Sequence, residues 1–261
     1  MASYYIAFCD IYSFIKKHIF LILFLTLGVT FFTRNNFKEV WDIRPEVRGQ
    51  PKMQKLDNAA VISFKRNGYA YEASPLYSYE LNALVVSKRN YKVYTIERFQ
   101  KTFPCDLCMI WGSNVEGAIY RNKTINFSQD GRWCFVRWSG EVKFNWDDFS
   151  NSHLLVTDPA IERKINSLVI GDQVKIEGRL VNVRAALIGA GGSFDSLNYT
   201  WNSGVGKSGL GAGACKVIYV EKLDILKKAN VLSYFLFRLS LCGLIVLMGW
   251  RTLRFFGVIK E

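Results

Sequence analysis

The chain has 261 residues, half of them hydrophobic and 15% aromatic, which excludes a disordered protein and leaves ample material for one sizeable core. Its 34 Lys and Arg outweigh 22 Asp and Glu by a formal +12, which excludes an acidic surface. Two His in the whole sequence leave little material for a His-built metal site or a His-based triad.

The first of two long apolar runs is Ile19–Phe32, with no charge in it. It offers ~21 Å of helix at ~1.5 Å per residue, short of a ~30 Å hydrocarbon core. Lys16, Lys17 and Arg34 flank it with stems long enough to snorkel, and Ile11–Ile15 upstream is largely apolar, so a spanning helix is feasible over about 16–33. A Lys pair before an apolar run also fits a secretory signal. The run ends V-T-F-F-T-R-N-N, however, without a small-x-small cleavage site, which favours an uncleaved anchor. Residues 34–60 are polar, carry Pro45 and Pro51, and read as a linker.

The β domain is expected over 61–228. Asn67-Gly68 between Val61–Phe64 and Tyr69–Glu72 signals a hairpin. Strand-like runs follow at Glu80–Lys88, Leu107–Trp111 and Arg132–Trp138. Asp158-Pro159 opens a short helix to about Leu168, with Asp as N-cap and Pro at the first helical position. Gly171-Asp172 turns the chain into a fourth strand, Gln173–Val183, and Lys216–Leu226 is the fifth. In the fourth strand Val174, Ile176 and Leu180 share one face, and Gly178 interrupts the side-chain row where a strand of a small barrel bends. A second apolar run, Val231–Trp250, offers ~30 Å of helix with Arg238 as its single charge. A transmembrane helix is expected over 229–251 and a short basic tail over 252–261. A core helix is the rival reading of both apolar runs. Arg238 is costly against lipid, so it predicts an intramembrane contact with the first helix or another subunit.

The order β-β-β-α-β-β and the stretch G-D-Q-V-K-I-E-G-R-L-V (171–181) resemble the OB-fold, a five-stranded Greek-key barrel, across roughly residues 78–226. The whole chain is also similar to uncharacterised bacterial proteins with an anchor at each end of such a domain. The resemblance implies a mainly β protein, an OB-like five-stranded small barrel between two transmembrane helices. It carries no activity with it.

Two spans put residues 34–228 on one side of a membrane. Flanking Lys and Arg are nearly balanced, and the positive-inside rule weakens for so long a loop. The loop holds Cys105, Cys108, Cys134 and Cys215, an even number that suits disulfides and an oxidising compartment; three pairings are open. That favours a bacterial inner-membrane protein with its domain outside the cytoplasm. Free buried cysteines are the alternative. Cys105-Asp-Leu-Cys108 also matches a redox C-x-x-C but leads into a strand rather than a helix, and it lacks the second pair that zinc needs.

Gly204-Val-Gly206-Lys207-Ser208-Gly209 matches phosphate-loop patterns but has no helix after it to receive a phosphate. His153 and Asp147-Asp148 read as structural and as a solvated turn. Trp133, Phe135 and Arg137 alternate onto one strand face and are candidates for stacking a ligand, supported by Lys92, Arg98 and Lys101 from the preceding long connection. No metal or cofactor is expected. The leading expectation is a non-enzymatic, membrane-anchored interaction or assembly module in an envelope complex, with membrane lipids and envelope proteins as partners. A membrane-tethered domain binding single-stranded nucleic acid and a thiol-redox protein using Cys105 and Cys108 are the alternatives.

Overall fold

The structure, a computed structural model, describes residues 2–91, 103–188, 199–206 and 215–257, with side chains from residue 17 onward. The chain divides into two compact units. One joins the residues up to Asn36 with those from Asn230; the other is Phe37–Ala229. The first element is helix α1 (Ala2–Thr33).

The second unit is built from β1 (Lys52–Lys55), β2 (Ile62–Arg66), β3 (Tyr69–Asn90), β4 (Cys105–Ile110), β5 (Asn126–Asp130), β6 (Trp133–Arg137), β7 (Phe149–Leu155), β8 (Gln173–Leu187), β9 (Tyr199–Trp201) and β10 (Cys215–Lys227). Helix α2 (Gly112–Glu116) lies between β4 and β5, and α3 (Pro159–Ser167) between β7 and β8. The protein is mainly β, as expected. In place of a five-stranded small barrel, the strands form a large mixed sheet of eight, with β5 and β6 apart as a two-stranded sheet. Within the large sheet β3 pairs β4, β4 pairs β7, β7 pairs β10 in parallel, β10 pairs β8, and β8 pairs β3.

The sequence places the third strand at 132–138, and the structure corrects this. That segment is β6, paired only with β5, and the third strand of the large sheet is β7. β7 reads F-S-N-S-H-L-L and is buried on both faces. Its polar residues Ser150, Asn151, Ser152 and His153 find partners inside, so the apolar alternation that marks a strand is missing. Within the expected linker, Val47 is fully buried in a 3-10 turn and β1 pairs with β3.

Other elements follow the local chemistry. Asn67 and Gly68 take positive φ (52° and 83°), the conformation of a tight two-residue hairpin between β2 and β3. Asp158 accepts from the Ala160 N–H and caps α3 ahead of Pro159. The half-buried Lys88 ammonium closes the other end of α3 by donating to the carbonyls of Ile165, Asn166 and Leu168. At Gly178 a Cβ would run into the Tyr219 carbonyl, so the close crossing of β8 and β10 needs glycine, and the ladder shifts register beside it. The main core joins Leu81, Leu107, Ile176 and Ile218 from the sheet to Ile165 of α3 and to Leu168 just after it. A second cluster lies beneath the β5–β6 hairpin, around Cys108, Ile110, Phe127 and Phe149.

The last helix is α4 (Val231–Phe255). Asn230 precedes it in the left-handed conformation and donates its amide to the carbonyls of Arg34 and Asn36. The α1–α4 contact uses small residues: Thr30 and Ser240 are buried, and a Cβ on Gly243 would stand 2.9 Å from Leu23. Both hydroxyls bond back to carbonyls of their own helix. Large apolar side chains such as Phe24, Val29, Phe235 and Val246 point outward. Among the described residues only α4 is long and apolar enough to cross a membrane, and the described apolar part of α1, Lys17–Thr33, is shorter. Arg238 is exposed on α4.

Candidate functional site

The sequence candidates disperse. Trp133, Phe135 and Arg137 do share the exposed face of β6, with the Arg137 guanidinium 5.4 Å from the Phe135 ring centroid, while Cys134 and Val136 face inward. This face belongs to the separate hairpin, not to the large sheet. Lys92, Arg98 and Lys101 lie outside the described residues, as do residues 207–209 of the Gly-rich motif. Cys108 bonds Cys134, joining β4 to β6, with Cα atoms 6.1 Å apart. Cys105 is free and faces the main core, where burial pushes its thiol up to about 12. Three residues apart on a strand, the two cysteines of C-x-x-C point to opposite faces, so they form no dithiol.

A different set of residues comes together. A cleft of about 470 Å³ is lined by Pro51, Met53, Tyr79, Trp111, Asp148 and Lys216, among others. Trp111 ends β4 and is held from below by a polar knot. Its backbone N–H donates to the Asp148 carbonyl. The Asp148 carboxylate is buried and accepts from the Ser113 N–H and hydroxyl, the Asn145 amide and the Gln50 amide. Asn114 clamps the same segment by donating to the carbonyls of Asn145 and Asp148. Gly112, at φ +51°, gives this knot its shape: a Cβ there would lie 2.7 Å from Asp148 Oδ2 and from the Gln50 amide nitrogen. Asp147, next in the chain, is exposed, so the adjacent carboxylates do diverge, but Asp148 is a buried anchor rather than part of a solvated turn.

Two donors on residues that line this cleft and pack into the main core are left over. The Trp111 indole N–H and the Tyr79 hydroxyl are buried without a hydrogen-bond partner, on residues 2% and 3% exposed. Burial raises the Tyr79 pKa, so the hydroxyl keeps its proton. Beside them the Lys216 ammonium, also buried, donates to the carbonyls of Gly204 and Gly206, and burial lowers its pKa. An unsatisfied buried donor costs about 1–3 kcal/mol until an acceptor, water included, meets it. Strand β1, an edge strand whose sole described partner is β3, contributes Met53 to the rim.

No protein-family model matches the chain, and no curated protein or solved structure matches it. Among the described residues no three His, Cys, Asp or Glu are grouped to hold a metal ion. Trp111 was visible in the sequence as a strand aromatic, but nothing there marks its N–H as unpaired. Tyr79 is one tyrosine among 13 and carries no local signal.

Proposed function

We propose that the protein is a membrane-anchored binding module of the bacterial envelope, non-enzymatic at this cleft. It would take an extended segment of a partner envelope protein against β1, with a backbone carbonyl of that segment accepting from Trp111 Nε1–H and the Tyr79 hydroxyl. The two unpartnered donors carry the reading. An extended segment suits an edge strand beside the cleft, because main-chain pairing supplies affinity and the pocket supplies selectivity. We read the five mutually paired strands β3, β4, β7, β10 and β8, with α3 between β7 and β8, as an OB-like strand order within the larger mixed sheet. The circuit of pairings and the single parallel contact support that reading. The Cys108–Cys134 bond supports a domain outside the cytoplasm, and α4 supports an anchor, with α1 as a second span.

A photo-crosslinker at Met53 in cells tests the cleft. One partner, captured by the parent protein and lost in both Trp111→Phe and Tyr79→Phe, is the expected result, since each change removes only a polar group. Equal capture by all three proteins would sink the reading. The exposed Trp133 and Phe135 with Arg137 favour one alternative, stacking of single-stranded nucleic acid. The strands that OB barrels usually offer to bases, β4 and β7 here, are buried on both faces. Salt-dependent binding of a single strand, lost in Trp133→Ala, would revive that alternative.

A further inference from the structure

Three adjacent strands line up a carboxylate, an imidazole and a thiol on one sheet face. Asp106 of β4 stands directly opposite His153 of β7. Cys215, at the start of β10, stands opposite Asn151, two residues from His153 and on the same side. His153 Nδ1 is 2.9 Å from Asp106 Oδ2, an ion-pair approach lying off the ideal hydrogen-bond line. The parallel register sets the Cys215 side chain next to the imidazole on that face, with Val217 as the direct partner of His153. With Nδ1 turned to the carboxylate, Nε2 is the nitrogen left for sulfur. Asn151 donates its amide to the Arg132 carbonyl at 2.7 Å and approaches Cys215 Sγ at 3.6 Å. Asp106 is held in turn by the Tyr91 hydroxyl at 2.7 Å and by Arg132 Nη1 at 3.3 Å.

Asp106 and His153 are buried, whereas Cys215 is partly exposed. This is the layout of an activated nucleophile: a partly exposed thiol, an imidazole beside it on the same sheet face, and a carboxylate orienting that imidazole. Disulfide exchange is the other chemistry open to a thiol, and the structure disfavours it. Exchange needs a resolving sulfur; among the described residues Cys108 and Cys134 are paired, Cys105 faces the core and Cys242 lies on α4.

We propose that Cys215 is a nucleophile for acyl transfer, with His153 as its acid–base partner and Asp106 as the positioning carboxylate, acting on the carbonyl of an ester or thioester. Cys215 Sγ, its proton held by His153, bonds the carbonyl carbon, and the C–O or C–S bond to the leaving group breaks. The leaving group departs with its electron pair and takes the proton from His153. Water then attacks the acyl-thioester and gives a proton to His153, and the acid is released with the thiol restored. The Asn151 amide and the aromatic wall of Phe103, 5.7 Å from the His153 ring and 5.1 Å from Trp201, border the reacting group.

The test uses the full-length chain in detergent, with p-nitrophenyl acetate as acyl donor and iodoacetamide as alkylating probe. Peptide mapping separates Cys215 from the exposed Cys242. The expected result is a stoichiometric burst with the acetyl group on Cys215. Cys215→Ala removes it, and His153→Gln slows both acetylation and alkylation of Cys215 by about 100-fold, the low end for a positioned acid–base group. Asp106→Asn is nearly isosteric and provides a readout that packing alone would not move. By NMR, the His153 titration falls from its raised position in that variant, with Tyr91, Arg132 and Cys215 as the other ionisable groups of the Asp106–His153 cluster. Acetylation confined to other residues, or Cys215 alkylation as fast in His153→Gln as in the parent, would overturn the proposal. If His153→Gln does not fold, the acetyl position in the parent and the Asp106→Asn titration still decide it.

Discussion

Buried charge at His153 makes the stability of the β unit depend on pH in a defined window. Burial acts to lower the His153 pKa, but the Asp106 carboxylate and the Cys215 contact outweigh it and carry it from the ordinary 6.5 up to about 9. The folded protein therefore binds this proton more tightly than the unfolded chain does. The resulting stabilisation is fully present below pH 6.5 and is lost as pH rises through about 9. A rise of that size is worth about 3 kcal/mol, a large fraction of a typical domain's net stability. Urea unfolding of the full-length protein in detergent, followed by tryptophan fluorescence, should show a decline of this order between pH 6.5 and about 9. Asp106→Asn should flatten it, because the neutral amide no longer holds the proton. A parent stability that is level across the window, or a slope that survives in Asp106→Asn, would refute the buried ion pair. Above that window Cys105, raised to about 12, adds a further loss, since its thiol ionises more readily in the unfolded chain.

Three further outcomes are expected. Cys108→Ser opens a loop with a sequence separation of 26 and should cost about 3 kcal/mol in urea unfolding under oxidising conditions, with little effect in reductant. Gly112→Ala, strained at φ +51° and set against Asp148, should cost about 2 kcal/mol or more and abolish crosslinking from the cleft, because Trp111 loses its support. If Arg238 pairs with a second membrane subunit, Arg238→Leu should shift the detergent-solubilised complex to a smaller size by light scattering; an unchanged size would remove that contact from the account.

The sequence made legible whatever is encoded locally. The Asn67-Gly68 turn, the Asp158-Pro159 helix start, the alternating run from Gln173 and the apolar run after Asn230 all appear where the pattern places them. What failed depends on tertiary partners. β7 hides because its buried side chains are polar and paired. β6 has a good strand pattern and turns out to serve a side hairpin. Pro75, which lacks an N–H, sits inside β3 where the ladder to β8 slips, so one long strand reads as two. The sites were less legible still. Asp106, His153 and Cys215 meet only through the lateral order of β4, β7 and β10, and no spacing along the chain announces it. Tyr79 and Trp111 matter for bonds they do not make, and a linear pattern holds no record of those.

The place of β10 has a kinetic consequence. This last strand lies between β7 and β8, pairing one in parallel and the other antiparallel. Until it arrives, two interior strands show raw edges to any neighbouring chain. Its parallel contact with β7 also spans a helix and a long strand, a non-local pairing that forms late. A nascent polypeptide stalled before residue 215 would therefore be sticky rather than merely incomplete, so prompt delivery of the final strand, or a chaperone at that edge, sets the yield of the intact protein.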